Sequence, residues 1–329
     1  MLLMRPGESF VANKIVERIV EIYGNRHPTS SELVSRRNSL ERVLCADIPD
    51  CTVRRGLKKS LSNGGGRTAA GLMLYEPRPV QRGERTLIGA YNYTIILKPS
   101  EAWMVTSIEP AATQAHLFQR IVERSNSKLP SLAHIQERLS DVWIPLMWMR
   151  SRRVLSGRGF IPHEFMTPWD NGLLFGKVEK IDDLPAWAAN PLVYIVRAGS
   201  PQRYSPPDFY SEADKRVNAF THTFVGSAEL RPHQIILRDR LRDFTFSHQK
   251  VIEYLKLSWM IAVGYNNPFT EEITRIFQLE PPTESRLSRA LSDIESIVDS
   301  DFWREEAAFS ARNQRRYQTE AVTRSSSTF

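Results

Sequence analysis

The stretch WMVTSIEPAATQAHLFQRIVERSN (Trp103–Asn126) holds a strand, a turn and a helix within a short span of the chain. Its first part, Trp103–Ile108, is rich in β-branched and aromatic residues, which predicts a strand. Pro110 marks a turn, and the apolar residues from Thr113 onward recur at helical spacing. Because the helix carries one histidine and two arginines, a titratable group and two fixed cations share one short scaffold.

Strand-like segments recur through the centre of the chain, separated by turns that contain proline, glycine or serine. Short connections of this kind favour antiparallel neighbours. The predicted strands are Gly71–Tyr75, Thr86–Leu97, Trp103–Ile108, Arg153–Phe160, Gly172–Ile181, Leu192–Arg197 and Ala219–Val225. The sequence therefore predicts an α+β fold with a mostly antiparallel central sheet.

Helical spacing dominates both ends of the chain. Two helices are predicted at the N-terminus, the second with N-cap candidates in Pro28–Ser31 and with Glu32 in the following turn. A central helix is predicted to end or kink at Pro145. The predicted organisation is a helical N-terminal arm (1–50), an α+β core (51–226), a helical C-terminal region (227–310) and a disordered tail (311–329). The C-terminal helices either cover the sheet or form a separate domain.

The charge balance is basic, with a formal net charge of +7 and a pI of about 9.5. The 34 arginines far outnumber the 10 lysines. The planar guanidinium offers a fork of donors that suits phosphate, so the imbalance favours a polyanionic partner. A GC-rich coding sequence produces the same ratio without any function.

Several classes of protein are excluded or disfavoured. The two cysteines, Cys45 and Cys51, are too few for a disulfide framework or a four-ligand zinc site. Cys45 is expected to be a small buried apolar side chain. The N-terminus reaches Arg5 and Pro6 too early for a signal-peptide core, and no apolar run has membrane-spanning length. We expect a soluble cytoplasmic protein with no metal or other cofactor.

Two basic segments are candidate phosphate contacts. The first, TVRRGLKKSLSNGGGRT (Thr52–Thr68), places cations around a glycine-rich turn whose N–H groups could bind phosphate; a solvated loop is the alternative. Its cations are Arg54, Arg55, Lys58, Lys59 and Arg67. The second segment carries Arg150, Arg152 and Arg153 beside an aromatic–methionine cluster. We interpret that cluster as core, with the arginines as a possible nucleic-acid edge.

The predicted helix after Thr113 is amphipathic. With about 100° per residue, Leu117 and Ile121 centre on one side, and His116 and Arg120 fall on the other with Arg124 near the edge. Cleavage of RNA without a metal requires a base, an acid and cations for the crowded phosphorane, and one histidine beside two arginines supplies much of that set. The alternative is an ordinary solvated helix face with a Glu123–arginine pair.

A second candidate set is Thr221-His222-Thr223 in the strand-like segment AFTHTFV. Strand alternation predicts Thr221 and Thr223 on one face and His222 on the other. The threonine hydroxyls could orient a phosphate, or His222 could be the second acid–base group. The alternative for His222 is a hydrogen-bonded structural histidine. His233 and His248, in helical segments, are interpreted as structural or surface residues.

The order of a strand, a helix bearing H-x-x-x-R-x-x-E-R, a second helix and then several strands resembles the barnase–EndoU-like toxin ribonucleases. The matching residues are His116, Arg120, Glu123 and Arg124, and the resemblance spans about residues 86–226. It implies a metal-independent ribonuclease in which these residues are catalytic.

Three hypotheses follow. The first is a metal-independent ribonuclease centred on His116, Arg120 and Arg124, with His222 or the flanking threonines opposite. The second is a nucleic-acid-binding protein without chemistry, whose partner is RNA rather than DNA. The third is a regulatory or protein–protein adaptor, with the basic excess incidental. Catalysis predicts convergence of His116 with His222 or the threonines, whereas simple binding predicts a steep dependence of affinity on salt.

Overall fold

The computed structural model of the chain describes residues 10–24, 26–47, 52–58, 69–82, 85–108, 111–124, 132–157, 164–180, 192–197, 200–204, 217–261, 275–277, 281–309 and 312. Several positions named above lie outside these ranges, as does the predicted tail apart from Arg312. They are Arg5, Pro6, Cys51, Lys59, Arg67, Thr68, Pro110, Asn126, Phe160 and Ile181.

Ten strands of the described chain form one sheet. They are β1 (Thr52–Lys58), β2 (Ala69–Arg82), β3 (Arg85–Leu97), β4 (Glu101–Ile108), β5 (Ala111–Gln114), β6 (Glu164–Trp169), β7 (Gly172–Lys180), β8 (Leu192–Arg197), β9 (Ser200–Tyr204) and β10 (Val217–Val225). Among these strands only β5 and β10 pair in parallel, and every other pair is antiparallel.

Strand β3 is the hub of the sheet because three strands pair with it. Strand β2 pairs along its whole length, from Ala70 opposite Leu97 to Arg82 opposite Arg85. The other edge of β3 is divided between β4, which pairs from Tyr91 to Leu97, and β5, which pairs at Leu87 and Ile88. Beyond this edge the sheet continues as β8–β9 from β4 and as β10–β7–β6 from β5.

The helices lie before, between and after these strands in sequence. They are α1 (Phe10–Gly24), α2 (Leu33–Asp47), α3 (Ala115–Arg124), α4 (Leu132–Leu155), α5 (Pro232–Ser247), α6 (Gln249–Ile261), α7 (Glu284–Val298) and a final helix at residues 301–309. The predicted α+β class is confirmed. Within the described ranges, no helix is both long and apolar enough to cross a membrane.

Helices α1 and α2 pack on one face of the central strands. Ile15 and Ile19 of α1 and Leu40 of α2 share a core with Leu72 of β2 and Ile95 of β3, and all five side chains are at most 3% exposed. The turn before α2 forms the predicted cap, in which the backbone N–H and the hydroxyl of Thr29 both donate to the Glu32 carboxylate.

Two of the C-terminal helices pack against strands β6 and β10. Leu237 and Leu241 of α5 and Ile294 of α7 share a core with Phe165 of β6 and Phe224 of β10. Burial of large apolar side chains from both partners is the dominant favourable term in such packing.

Helix α4 is longer than the sequence predicted. It continues through Pro145 to Leu155, so Pro145 does not end it, and it includes Arg153, which was predicted to begin a strand. An internal proline costs a helix about 3 kcal/mol. Trp143 and Met149 flank that position in the core at 0% and 1% exposure, and the burial of each contributes about 1.5–3 kcal/mol. Tertiary burial therefore overrides the local signal.

The Tyr23 hydroxyl attaches α1 to the turn between β3 and β4. It donates to the carbonyl oxygens of Lys98 at 2.6 Å and Glu101 at 3.1 Å. Burial is the main cause that raises the pKa of Tyr23, so the hydroxyl stays protonated and remains a donor at neutral pH.

We expect Tyr23→Phe to lower the free energy of unfolding by about 1–2 kcal/mol, because both carbonyl oxygens lose their donor. Urea denaturation of both proteins measures the difference. Tyr254→Phe is the matched control, because no hydrogen bond to the Tyr254 hydroxyl is seen among the described residues. Equal losses in the two variants would contradict the anchoring role.

Candidate nucleic-acid interface

The parallel pair β5–β10 brings the two predicted site segments together. Thr221 of β10 lies opposite Thr113 of β5, although more than a hundred residues separate them in sequence. Because the two strands run in the same direction, both histidines follow this pair at the same end, His222 one residue after Thr221 and His116 three residues after Thr113.

A β-bulge lies at His222. Thr221 pairs with Gly176 of β7 and Thr223 pairs with Phe175, so the two threonines face consecutive residues of the partner strand. The regular pairing that the prediction assumed is therefore interrupted by one extra residue in β10. Bulges occur beside functional sites, where the added residue changes the direction of a side chain.

Helix α3 has the predicted amphipathic orientation. Leu117 and Ile121 are buried at 0% and 1% exposure, whereas His116 and Arg120 are exposed. The Arg120 guanidinium is 3.9 Å from the Glu123 carboxylate, and both side chains are nearly half exposed. A surface pair of this kind is worth at most about 1 kcal/mol, so an incoming phosphate can displace the carboxylate.

Arg124 has a structural role that the helix stripe did not predict. Its Nη1 donates to the Phe224 carbonyl oxygen at 3.0 Å and lies 2.8 Å from the Glu229 carboxylate. A Cβ atom at Gly226 would lie only 2.9 Å from the Arg124 carbonyl oxygen, so α3 and the end of β10 approach closely here. Arg124 therefore fixes β10 against α3.

The first part of the first basic segment forms β1, which pairs with β2, and its glycine-rich part, residues 59–68, lies outside the described residues. Arg55 makes a two-pronged ion pair with Glu41 of α2, with Nε–Oε2 and Nη2–Oε1 distances of 2.7 and 2.6 Å. The hydrogen bond from Arg55 is the first cause that lowers the pKa of Glu41. Arg54 and Lys58 lie on the same strand.

Arg37 lies near this pair and is buried at 8% exposure. Burial first, and then the charge of Arg55, lower the pKa of Arg37. Two guanidinium groups therefore share one carboxylate where α2 meets β1. Arg37 also donates from Nη2 to the Asn38 side-chain oxygen at 2.9 Å.

The second basic segment does not form the predicted edge, because its arginines lie on the helix α4 and point in different directions. Arg152 is exposed, Arg150 is half-buried and Arg153 is buried. Arg153 donates from Nε to Glu295 at 2.9 Å and from Nη2 to Asp299 at 2.5 Å. Arg153 thus joins α4 to α7 and is not a phosphate contact.

The structure also shows the surroundings of His233, His248 and Cys45. His233 is buried and its Nε2 lies 2.9 Å from the Glu306 carboxylate, and His248 lies 2.7 Å from Asp293, so both are structural as interpreted. Cys45 is exposed, not buried as expected. Among the described residues, no cluster of three or more His, Cys, Asp and Glu side chains could hold a metal ion.

No sequence pattern predicted the acidic partners of these arginines. Glu41, Glu229, Glu295 and Asp299 are ordinary surface-type residues in their own segments, and their distances in sequence from the arginines follow no motif. Comparison of the chain with protein-family models, curated proteins and solved structures gave no match.

Replacement of Arg153 tests its structural role. We expect Arg153→Met to lower the free energy of unfolding by about 3 kcal/mol, because two carboxylates lose a buried partner. Arg152→Met, the exposed neighbour on the same helix turn, should change it by less than about 0.5 kcal/mol. Thermal denaturation measures both. Similar stability of the two variants would contradict the assignment.

The Arg55–Glu41 pair predicts an acid-dependent contribution to stability. The folded-state pKa of Glu41 lies below its unfolded value, so its stabilisation is complete above the ordinary glutamate pKa of about 4.3 and is lost as pH falls through the lowered folded-state pKa. The stability difference between wild type and Glu41→Gln should therefore be largest near pH 7 and shrink below about pH 4. Urea denaturation across pH measures this stability difference. The control is Glu17→Gln, because Glu17 is an exposed residue of α1. A constant difference would contradict the pairing.

Proposed function

We propose that the protein binds single-stranded RNA at the edge formed by the start of α3 and the paired strands β5 and β10. The observation that carries the proposal is the parallel pairing of Thr113 with Thr221. It supports a shared site because His116 and the bulge at His222 follow these two threonines directly.

The charge of the chain and of the exposed α3 face supports a phosphate-bearing ligand. The chain carries a formal net charge of +7, and Arg120 lies one helical turn beyond His116 on the exposed side. Phosphate contacts supply most of the affinity in non-specific nucleic-acid binding.

The chemistry proposed for this edge is metal-independent cleavage of RNA. One acid–base group takes the proton from the 2′-hydroxyl, and the O2′ atom attacks phosphorus. The P–O5′ bond breaks, a second group gives a proton to O5′, and the product is a 2′,3′-cyclic phosphate. His116 takes one of these two roles, and His222, at the bulge in β10, takes the other. Arg120 stabilises the charge that develops on the phosphorane.

The test is cleavage of labelled single-stranded RNA in EDTA. We expect His116→Ala to slow cleavage by at least about 100-fold, because an acid–base group is lost. Arg120→Ala should slow it by a similar factor, about 100-fold, through loss of a positioned cation. Arg18→Ala is the matched control, since Arg18 is also an exposed helix arginine paired three residues away with a glutamate, Glu21.

The outcomes separate the hypotheses. If RNA is retained in a salt-sensitive manner but never cleaved, the catalytic proposal is wrong and RNA binding stands. If the wild type neither cleaves nor retains RNA, both parts are wrong, and a protein–protein adaptor becomes the better hypothesis. If Arg18→Ala slows cleavage as much as Arg120→Ala, the assigned edge is wrong.

A further inference from the structure

The prolines of the described strands all lie on strand edges that no other described strand occupies. Two are in β2, one is in β6 and one is in β9. Strands β6 and β9 stand at the two ends of the sheet order, and each pairs with a single described neighbour. The strands with described neighbours on both edges, β3, β4, β5, β7, β8 and β10, contain no proline. Because proline has no backbone N–H to donate, an edge that carries it is poorly suited to accept a further strand.

Strand β2 has such an edge along its second half. Its pairing with β1 ends where Thr52 lies opposite Tyr75, whereas its pairing with β3 continues to Arg82. Residues 76–82 of β2 therefore have β3 on one side and no described strand on the other. An edge of this kind presents a row of backbone N–H and C=O groups that can pair with another chain.

Pro77 and Pro79 occupy positions of β2 whose backbone nitrogens face this outer edge. In an antiparallel pair, hydrogen-bonded and non-hydrogen-bonded positions alternate, so every second nitrogen faces away from the partner. The pairing of β2 with β3 continues unbroken past both prolines, which places their ring nitrogens on the outward side. Tyr75, two residues earlier, has the same orientation and faces β1. The prolines thus remove the donors at the first two outward-facing positions beyond the end of β1.

Apart from its prolines, the segment 76–82 suits pairing with a second copy of itself. In an antiparallel pairing of two copies centred on Pro79, Glu76 of each copy lies opposite Arg82 of the other. Opposite charges that face each other across two strands are favourable. A contact in which both copies use the same segment gives a two-fold symmetric dimer. Charge therefore does not oppose this dimer, whereas the missing donors do.

We propose that Pro77 and Pro79 close the outer edge of β2 to the equivalent strand of a second copy of this chain. Pro168 in β6 and Pro201 in β9 remove a donor in the same way at the two ends of the sheet. The inference is independent of the proposed RNA binding, because β2 is not part of the edge formed by α3, β5 and β10.

The test measures the self-association of full-length Pro77→Val/Pro79→Val by analytical ultracentrifugation over a range of concentrations. The double variant restores two outward donors and adds side chains that favour strands. We expect its dimerisation constant to exceed that of the wild type at least about tenfold, because hydrogen bonds between the copies become possible. Pro281→Val/Pro282→Val is the matched control and should behave as the wild type does, because it makes the same change in a segment that belongs to no described strand.

Hydrogen exchange locates the contact, since the amides of residues 76–82 should become protected as the concentration of the double variant rises. If the folded double variant associates no more than the wild type, the inference is wrong. If the control variant associates as strongly, added apolar surface is the cause and the inference is overturned. If the double variant does not fold, the single variants Pro77→Val and Pro79→Val decide. Each restores one donor, and the absence of any increase in both would overturn the inference.

Discussion

The division of one edge of β3 between β4 and β5 determines the architecture of this protein. A strand has two edges, and β2 occupies the whole of the other one. Because β4 and β5 lie one after the other along the same edge, each leaves its own outer edge to a different partner, β8 or β10. In sequence, helix α4 and strands β6 and β7 lie between β5 and β10. The candidate site therefore depends on a contact between segments more than a hundred residues apart, and closing such a loop carries an entropic cost that must be offset by the surrounding core.

The arginine excess serves the fold as well as any ligand. The planar fork that suits phosphate also suits carboxylate. Arg55 uses it on Glu41 of the preceding helix, and Arg153 uses it on Glu295 and Asp299, far along the chain. Arginine content alone thus does not distinguish a phosphate-binding surface from a set of internal links. Exposure does not distinguish them either, because Arg55 is 62% exposed although it is paired, whereas Arg120 is 47% exposed.

The sequence predicted the local features and missed those that depend on partners. Six of the seven predicted strands and the Thr29–Glu32 cap follow from side-chain type and spacing within a few residues, and the structure has them. The seventh, predicted to begin at Arg153, begins inside α4, whose passage through Pro145 depends on burial against other elements that no local pattern reports. The same holds for the bulge at His222, because a bulge is a property of the pairing between β10 and β7 and not of either strand alone.

The contrast between Arg120 and Arg124 shows why helical spacing alone cannot assign a site. Each step of four residues turns the helix about 400°, so a nominal stripe rotates by about 40° per step. From His116 to Arg124 the rotation amounts to about 80°, enough to carry the last side chain from solvent toward β10. Arg124 accordingly reaches the Phe224 carbonyl oxygen, whereas Arg120 remains half exposed. A three-residue pattern that reads as one catalytic face is therefore divided by geometry into an exposed pair, His116 and Arg120, and an anchor that holds β10 beside them. The anchor matters to the proposed chemistry because it fixes the strand that carries His222, and positioning of that kind is what converts neighbouring groups into a site.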